Sequence, residues 1–358
     1  MTDPANLPRA ASAEWHPERL ALRLPTLRRR ARLTAETRAF FAGRGYLEIE
    51  TPALVPAPGM EVHLAAFRSL FTPMLGGDPR VLWLRTSPEL AIKRLLTAGC
   101  GPVFELARVW RNGEVGPRHA PEFTMLEWYR PGAGLDGLMD ETEAFLRAVL
   151  PPRVALGGVE TDLTLPFERV TVADAFRRHA GGIDILATLN GEGEGDGLAL
   201  RAAASAAGIV PRGEEGWEDL FFRILLERVE PALGRGRGSF LTHWPAPQAA
   251  LARRDPDDPR AALRFELFVA GIELANAFDE LTDAAEQAER FARDVAERRR
   301  LYGEGWEVDE DFLQALRHGM PASAGIALGF DRLAMLAAGA ESIADTLWLG
   351  RWPYVGEE

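Results

Sequence analysis

The densest group of charged residues in the sequence lies between residues 109 and 130, where two apolar segments flank a short loop. The group consists of Arg111, Glu114, Arg118, His119 and Glu122. Charged side chains gathered at the tip of a strand–loop–strand unit usually face a ligand, and a planar guanidinium can hold a carboxylate oxygen and a phosphate oxygen together. A single arginine on a strand, taken alone, is more often part of a surface ion pair. The cluster as a whole indicates a ligand site.

Two glutamates, Glu266 and Glu273, stand seven residues apart in RFELFVAGIELAN, which is typical of a pair of apolar strands. An acid buried on a strand needs a partner, because an unpaired carboxylate away from water costs several kcal/mol. Mg²⁺ prefers carboxylate oxygens, so a metal would satisfy both side chains. An ion pair with Arg264 or Arg332 would satisfy them as well. The pattern therefore leaves a metal site and an ion pair open.

Length and composition limit the classes of protein that need to be considered. The chain has 358 residues, 47% of them apolar, and 41 basic against 53 acidic residues give a net charge of -12. This fits one large or two ordinary globular domains, and the acidic balance argues against a protein that binds nucleic acid regardless of sequence. Cys100 is the single cysteine, which excludes an intramolecular disulfide and a thiolate metal cluster. With no secretory signal and no apolar run long enough to span a membrane, the sequence predicts a cytoplasmic protein.

The elements that must position these residues follow from apolar spacing and from Gly and Pro. An amphipathic helix is predicted over 28–45, with Leu33, Thr37, Phe40 and Phe41 on its buried face, while residues 1–27 are predicted to form a tail. The other predicted elements are strands over 46–52, 81–87, 103–111 and 123–130, a helix over 88–98, a strand pair over 264–281, a charged helix over 283–300 and a strand entering a helix over 325–339. Between 131 and 260 the signal is weaker, and the glycine-rich runs 191–197 and 234–240 are interpreted as loops rather than as phosphate or RNA sites.

The order of residues in three segments resembles one known family. VWRNGEVGPRHAPEFTMLEWYR is similar at nearly every position to motif 2 of class II aminoacyl-tRNA synthetases of the lysyl type. The helix and strand that end in ETPAL resemble motif 1, and GIALGFDRLAML resembles motif 3, whose arginine is Arg332. The resemblance implies an α+β catalytic fold, an antiparallel β-sheet flanked by helices, over residues 28–358. Residues 131–260 would be the variable region between motifs 2 and 3.

Such a fold implies that the chain activates an amino acid with ATP. By resemblance Arg111 would hold the amino-acid carboxylate against the α-phosphate and Arg332 would bind the γ-phosphate, which makes these two arginines the catalytic pair. Glu266 and Glu273 match in spacing the family's two metal-binding glutamates and would hold Mg²⁺. The ATP contacts implied in addition to Arg111 and Arg332 are Asn112, Gly113, Glu114, His119, Ala120, Phe123, Glu273, Leu274 and Gly329.

The resemblance also implies a pocket for an amino acid with a long cationic side chain. Glu280 and Tyr129 would bind the far amine, and Glu89, in the run Ser87-Pro88-Glu89, would bind the amine of the reacting end. Taken alone, Glu89 could equally be an acid stabilised by the dipole at the start of a helix. The residues implied in the pocket are Ser87, Pro88, Glu89, Tyr129, Ala275, Asn276, Glu280 and Ala327.

The N-terminal side departs from the lysyl-tRNA synthetases, which carry an anticodon-binding OB-fold before motif 1. Here 27 residues precede the predicted motif 1 helix, so we expect no anticodon-dependent tRNA binding. This arrangement, together with GIELAN, FDELTDA and CGPVFELARVWRN, resembles the lysyl-tRNA synthetase paralogues that attach (R)-β-lysine to a lysine of translation elongation factor P. The partners implied are elongation factor P and (R)-β-lysine or lysine, and the implied assembly is a homodimer.

Four positions within the motifs also depart from the lysyl-tRNA synthetases. Ala275 and Ala327 stand where those enzymes have glycine, and a methyl group on the pocket wall is worth about 1–3 kcal/mol of discrimination between substrates. Gly113 replaces the glutamate that contacts adenine, with Glu114 as its candidate replacement, and Ala120 replaces an asparagine. We therefore expect Gly113 and Ala120 to contact ATP through their backbone atoms only.

Two other functions remain open from the sequence. One is a ligase of the same chemistry with a tRNA or a small molecule as acceptor. The other is an inactive paralogue that senses an amino acid and binds a partner. The presence of both arginines and both glutamates of the implied catalytic site argues against the inactive sensor.

Overall fold

A computed structural model describes residues 15–349 of the chain. The strands of this part are β1 Leu47–Glu48, β2 Leu54–Val55, β3 Arg68–Phe71, β4 Arg80–Leu84, β5 Val103–Trp110, β6 Glu122–Pro131, β7 Arg153–Leu156, β8 Val159–Asp162, β9 Glu168–Thr171, β10 Ser239–Pro245, β11 Ala261–Val269, β12 Ile272–Asp279 and β13 Ser323–Gly329. The α-helices are α1 Pro17–Ala42, α2 Glu89–Thr97, α3 Leu135–Val149, α4 Val172–His179, α5 Gly197–Ala206, α6 Trp217–Ile224, α7 Ala284–Tyr302, α8 Glu310–Gly319, α9 Phe330–Ala338 and α10 Ile343–Thr346.

The central element is an eight-stranded sheet in the order β1-β5-β6-β13-β12-β11-β10-β9. The six inner strands pair antiparallel, and β1 and β9 each add a parallel strand at an edge. The predicted antiparallel sheet flanked by helices is therefore confirmed. Helices α1, α3 and α9 cover one face with a large apolar core, which leaves the other face of the inner strands free to form a site.

Helix α1 begins earlier than the sequence predicts. It starts at Pro17 and contains Pro25, so the predicted boundary at residue 27 falls inside it, while residues 1–14 of the predicted tail lie outside the described residues. Proline is well suited to a helix's first turn, and Leu27 is fully buried. Near Pro25, the Arg23 guanidinium donates a 2.9 Å hydrogen bond to the Ala344 carbonyl in α10, which joins this part of α1 to the body of the protein.

The predicted strand over 46–52 shortens to the two residues of β1. After β1 ends, the Ile49 amide still donates to the Phe104 carbonyl of β5, and side chains then satisfy the backbone at Thr51. The Thr51 amide donates to Glu105, and Arg85 donates a 2.9 Å hydrogen bond to the Thr51 carbonyl. The next residue, Pro52, has no amide proton to offer a sheet.

The region 131–260, where the sequence signal is weak, contributes two strands of the main sheet, β9 and β10. Its helices α4, α5 and α6 enclose a second apolar core against β10. The acidic glycine run ends at Asp196, whose carboxylate caps α5 by accepting hydrogen bonds from two amides. Residues 191–196 form a loop, as predicted. None of the helices formed by residues 15–349 combines the length and apolar character needed to cross a membrane.

Helix α1 also supports the part of the sheet that carries the predicted motif 3. The buried Arg30 forms an ion pair with Asp331 in the first turn of α9 and donates a 3.0 Å hydrogen bond to Thr124 on β6. Asp331 in turn accepts a 2.8 Å hydrogen bond from the Thr124 amide. Three elements that are distant in sequence are thereby fixed beside Arg332.

Candidate active site

The free face of the sheet is the floor of a cavity of about 450 Å³. Directly paired residues of antiparallel strands point to the same face, and one such row crosses four strands: Glu127 on β6, Ala327 on β13, Asn276 on β12 and Glu266 on β11. A second row, Tyr129, Gly325, Phe278 and Arg264, lies beside it. All eight residues line the cavity.

A bulge in β12 determines which residues reach this floor. Glu273 pairs with Phe268, whereas Ala275 pairs with Leu267, so that Leu274 is the extra residue. The bulge allows Glu273 and Asn276 to share the cavity face despite their odd spacing. It also turns the Ala275 side chain into the apolar core, which corrects the prediction that its methyl group narrows the pocket. Ala275 borders the cavity, but Ala327 is the alanine on its floor.

The cavity collects most of the residues predicted for the site. The predicted residues that line it are Ser87, Glu89, Arg111, Glu114, His119, Ala120, Phe123, Tyr129, Glu266, Glu273, Leu274, Ala275, Asn276, Ala327, Gly329 and Arg332. Four predicted residues, Pro88, Asn112, Gly113 and Glu280, are not among its lining residues. Of the charged cluster noted first in the sequence, only Glu122 lies outside, within 3.8 Å of Arg108.

Arg111 follows β5 and projects into the cavity. Its guanidinium lies 5.2 Å from the centre of the Phe123 ring and 3.8 Å from the Glu114 carboxylate. Its buried Nε has no hydrogen-bond partner among residues 15–349. An arginine held by an aromatic ring but left without a close protein acceptor can bind an anionic ligand, because its donors remain available.

Arg332, in the first turn of α9, connects three parts of the site. Its Nη1 donates a 2.8 Å hydrogen bond to the Glu273 carbonyl, and its Nη2 lies 2.8 Å from His119 Nε2. Because a guanidinium only donates, His119 must accept through Nε2 and carry its proton on Nδ1. Burial and the Arg332 charge lower the pKa of His119, which favours this neutral form.

The backbone conformation explains why position 113 is a glycine. Its φ of +85° lies in the left-handed region, which a glutamate would enter only with strain. The next residue, Glu114, lines the cavity instead, so the acid missing at 113 has a neighbour in position to replace it.

Glu266 and Glu273 face the same side of the sheet, and both of the ion pairs left open by the sequence are present. Glu266 lies 2.6 Å from Arg264, and Glu273 lies 3.8 Å from Arg332. Burial and the Glu273 charge nevertheless raise the pKa of Glu266 to about 8, and the same causes raise that of Glu230 to about 7. The arginines do not neutralise this acidic group fully, so it has capacity for a further cation.

No group of three or more potential metal ligands is assembled among residues 15–349. Mg²⁺ is commonly held by one or two carboxylates together with phosphates of a bound nucleotide, rather than by a cage of protein ligands alone. Glu266 and Glu273 fit that kind of site, since their mutual repulsion would be relieved by a divalent cation.

We expect Glu266→Gln to raise the melting temperature of the ligand-free protein at pH 8.5 and to change it much less at pH 6. The folded-state pKa of Glu266, about 8, lies above the unfolded value, so its contribution to stability is complete below about pH 4.5 and is lost as pH rises through 8. Glutamine keeps an oxygen for Arg264 but cannot ionise. Thermal unfolding at the two pH values measures the effect, with Glu289→Gln on the exposed side of α7 as control. Equal shifts at both pH values would contradict the raised pKa.

The opposite end of the cavity is rich in carboxylates, and we call it the acidic end. Glu61, Glu89 and Glu127 line it, and Tyr129 donates a 2.9 Å hydrogen bond to Glu127. Burial, followed by the charge of Glu89, raises the pKa of Glu127 well above its usual range. Gly325 permits this packing, because a Cβ there would lie 2.1 Å from the Tyr129 ring. Carboxylates enclosed in this way favour a cationic ligand.

A buried lysine that the sequence analysis missed lies behind the acidic end. Lys93 Nζ is 2.5 Å from Glu89 Oε1 and 2.6 Å from Glu280 Oε2, and the side chain is 1% exposed. Glu280, predicted to face the substrate, is thus already paired with Lys93 and lies behind the lining residues. The two carboxylates raise the pKa of Lys93 despite its burial, whereas burial raises that of Glu280 to about 8. The position of Lys93 four residues after Glu89 in a helix was the available signal.

Comparisons with known proteins identify a family and several relatives of this chain. The family model described as tRNA synthetases class II (D, K and N) matches residues 22–352. Relatives named elongation factor P–(R)-β-lysine ligase, from Salmonella paratyphi B, Salmonella schwarzengrund and Salmonella dublin, are each 42% identical over 338 residues. Each alignment covers 94% of this chain and 97% of the relative.

Proposed function

The chain belongs to the class II tRNA synthetases of the aspartate, lysine and asparagine group, and from that premise we propose that it joins (R)-β-lysine to a lysine of translation elongation factor P. The chain is an ATP-dependent ligase in this proposal. The reaction has two steps: ATP activates the amino acid as an aminoacyl-adenylate, and the acyl group then passes to the ε-amine of the acceptor. The relatives that carry the ligase name align over nearly the whole chain.

The excess of negative charge at the acidic end is the observation that supports a lysine-like amino acid as the substrate. Four carboxylates, those of Glu61, Glu89, Glu127 and Glu280, surround one internal cation, Lys93. Burial raises the pKa of Glu61, Glu127 and Glu280, so each gains from a nearby positive charge. (R)-β-Lysine and lysine both bring two ammonium groups, which is the charge that this end lacks.

The arginines account for the ATP end. Arg111 lines the cavity within electrostatic range of both Glu61 at the acidic end and His119 beside Arg332. From there it can hold the amino-acid carboxylate and the α-phosphate together and stabilise charge that builds on phosphorus. Arg332 is fixed by Glu273 and His119, and we assign it to the γ-phosphate. Glu266 and Glu273 would hold Mg²⁺, which supplies charge neutralisation for the phosphates when bound.

Elongation factor P is the acceptor best supported by the relatives' names. The net charge of -12 also offers little attraction to a tRNA backbone. We further propose a homodimer that acts in the cytoplasm, where translation factors are found.

The function is tested by incubating the protein with labelled (R)-β-lysine, ATP, purified elongation factor P and total tRNA together. We expect label on elongation factor P, and amino-acid-dependent exchange of pyrophosphate into ATP without it. Label on tRNA and none on the protein would refute the acceptor. Absence of exchange with either lysine isomer would favour an inactive sensor.

Ala327→Gly should raise kcat/KM for α-lysine relative to that for (R)-β-lysine by about 10- to 200-fold, because a methyl group on the cavity floor is worth about 1–3 kcal/mol of discrimination. Ala275→Gly is the matched control, since its methyl group faces the core and the ratio should stay unchanged. Exchange assays with both isomers measure the ratio. The same ratio in wild type and Ala327→Gly would remove this alanine from any role in substrate choice.

A further inference from the structure

A second cavity, of about 470 Å³, adjoins the first. The two share the lining residues Glu61, Ser87, Glu89, Ala250, Leu251 and Arg264, so they meet at the acidic end. The second cavity runs between the segment 59–63, helix α6 and helix α7. It carries six carboxylates and four guanidiniums, which favours entry of a cationic group.

Glu61 stands at the junction of the two cavities without a committed partner. No side chain of residues 15–349 forms an ion pair or hydrogen bond with its carboxylate, which its own backbone amide contacts. Gly59 leaves room for the carboxylate in this position, because a Cβ at Gly59 would lie 2.4 Å from Glu61 Oε2. Glu61 is an exposed residue whose side chain lines both cavities, so its carboxylate is accessible to a group that enters through either one.

We propose that Glu61 is a catalytic residue of the transfer step, the base that removes a proton from the acceptor's ε-ammonium after it arrives through the second cavity. The inference rests on the proposed function. It adds a residue and a route that neither the sequence motifs nor the relatives' names assign.

The chemistry balances with the groups present. The acceptor enters as R–NH₃⁺ and gives one proton to the Glu61 carboxylate, which leaves a neutral amine. The amine nitrogen then forms a bond to the carbonyl carbon of the adenylate, and the bond from that carbon to the phosphate oxygen breaks as AMP departs with its electron pair. The nitrogen is now positively charged and releases its second proton to water, which yields the amide.

The surroundings of Glu61 suit this role. The protein packed around the junction of the cavities keeps bulk water from Glu61 and raises its pKa, as does the Glu89 carboxylate. Its own backbone amide, Arg111 and Lys93 lower the pKa but do not cancel this effect, and Asp294 of α7 also lines the second cavity within electrostatic range. The pKa of Glu61 is raised, and the pKa of the acceptor amine falls as the amine leaves water. The two pKa values therefore become closer than they are in solution. Proton transfer between the two groups becomes easier than in solution.

The test separates transfer from activation. Enzyme loaded with the adenylate is mixed with elongation factor P or with hydroxylamine, which is already neutral at pH 7 and has no proton to lose before attack. We expect Glu61→Gln to slow transfer to elongation factor P by about 100-fold or more and to slow discharge to hydroxylamine far less. Glu289→Gln, on the exposed side of α7 and in the lining of neither cavity, is the control and should affect neither rate by a comparable factor.

The pH profile is a second readout. In Glu61→Gln the transfer rate should rise about tenfold per pH unit, because only the free fraction of the amine can react, whereas the wild-type rate should level off above the pKa of Glu61. An equal loss with both nucleophiles would overturn the proposal, since Glu61 would then act on the adenylate. An unchanged transfer rate would overturn it too. Wild-type enzyme that fails to label elongation factor P would instead refute the proposed function.

Discussion

Arg111→Ala is expected to lower the rate of adenylate formation by about 100- to 1000-fold while the fold is retained. The guanidinium has only a 3.8 Å contact with Glu114 and a face-on contact with Phe123, so its removal breaks no close ion pair in the described protein. The Arg111 guanidinium contributes only when substrates are bound, because it then holds together a carboxylate and a phosphate that repel each other. Pyrophosphate exchange measures the loss of adenylate formation, and thermal unfolding checks that the variant keeps its fold.

Arg108→Ala is the matched control, because Arg108 lies on β5 three residues before Arg111, is half exposed, and lies 3.8 Å from Glu122 outside the cavity. Arg111→Lys should fall between wild type and Arg111→Ala, since lysine keeps the charge but loses the planar fork that binds two oxygens. Exchange at the wild-type rate in Arg111→Ala would show that the reacting carboxylate and phosphate lie elsewhere.

The fold could be predicted best where the apolar periodicity and the positions of Gly and Pro indicate the same element boundaries. The strand pair around Gly271 and the strand entering α9 have strong apolar periodicity and are confirmed within a few residues. Helix α1 is longer than predicted, because the Pro- and Ala-rich residues before 28 show no apolar periodicity, whereas the structure continues the helix through Pro25 and packs it against α10. Local preference was overruled there by tertiary packing.

The site could be predicted as a set of residues but not as an arrangement. Motif spacing identified Arg111, Arg332 and most of the cavity lining, because the residue order carries that information. Regular alternation along β12 would put Glu273 and Ala275 on one face, but a bulge that no residue type in the sequence indicates puts them on different faces. Glu61 lies in an irregular segment, and only the meeting of two cavities reveals it.

Lys93→Met should reduce the free energy of unfolding by about 3–5 kcal/mol at pH 8, because it removes the one cation between two enclosed carboxylates. Glu89 and Glu280 would then repel each other in a site closed to water. At pH 5 the loss should be smaller, since the raised pKa of Glu280, about 8 already with Lys93 present, lets it become neutral. Denaturant unfolding at both pH values measures the difference.

The double variant Lys93→Met/Glu280→Gln distinguishes a missing charge from a poorly packed methionine. If Lys93 acts by neutralising Glu280, the second substitution should restore part of the stability at pH 8, because no uncompensated carboxylate remains behind the cavity wall. It should not restore affinity for the amino acid, since the acidic end would have lost a negative charge that the substrate's ammonium groups need. Recovery of both properties would mean that Glu280 serves Lys93 and not the substrate. Recovery of neither would place the effect of Lys93 on Glu89 alone, whose Oε1 lies 2.5 Å from the ammonium group.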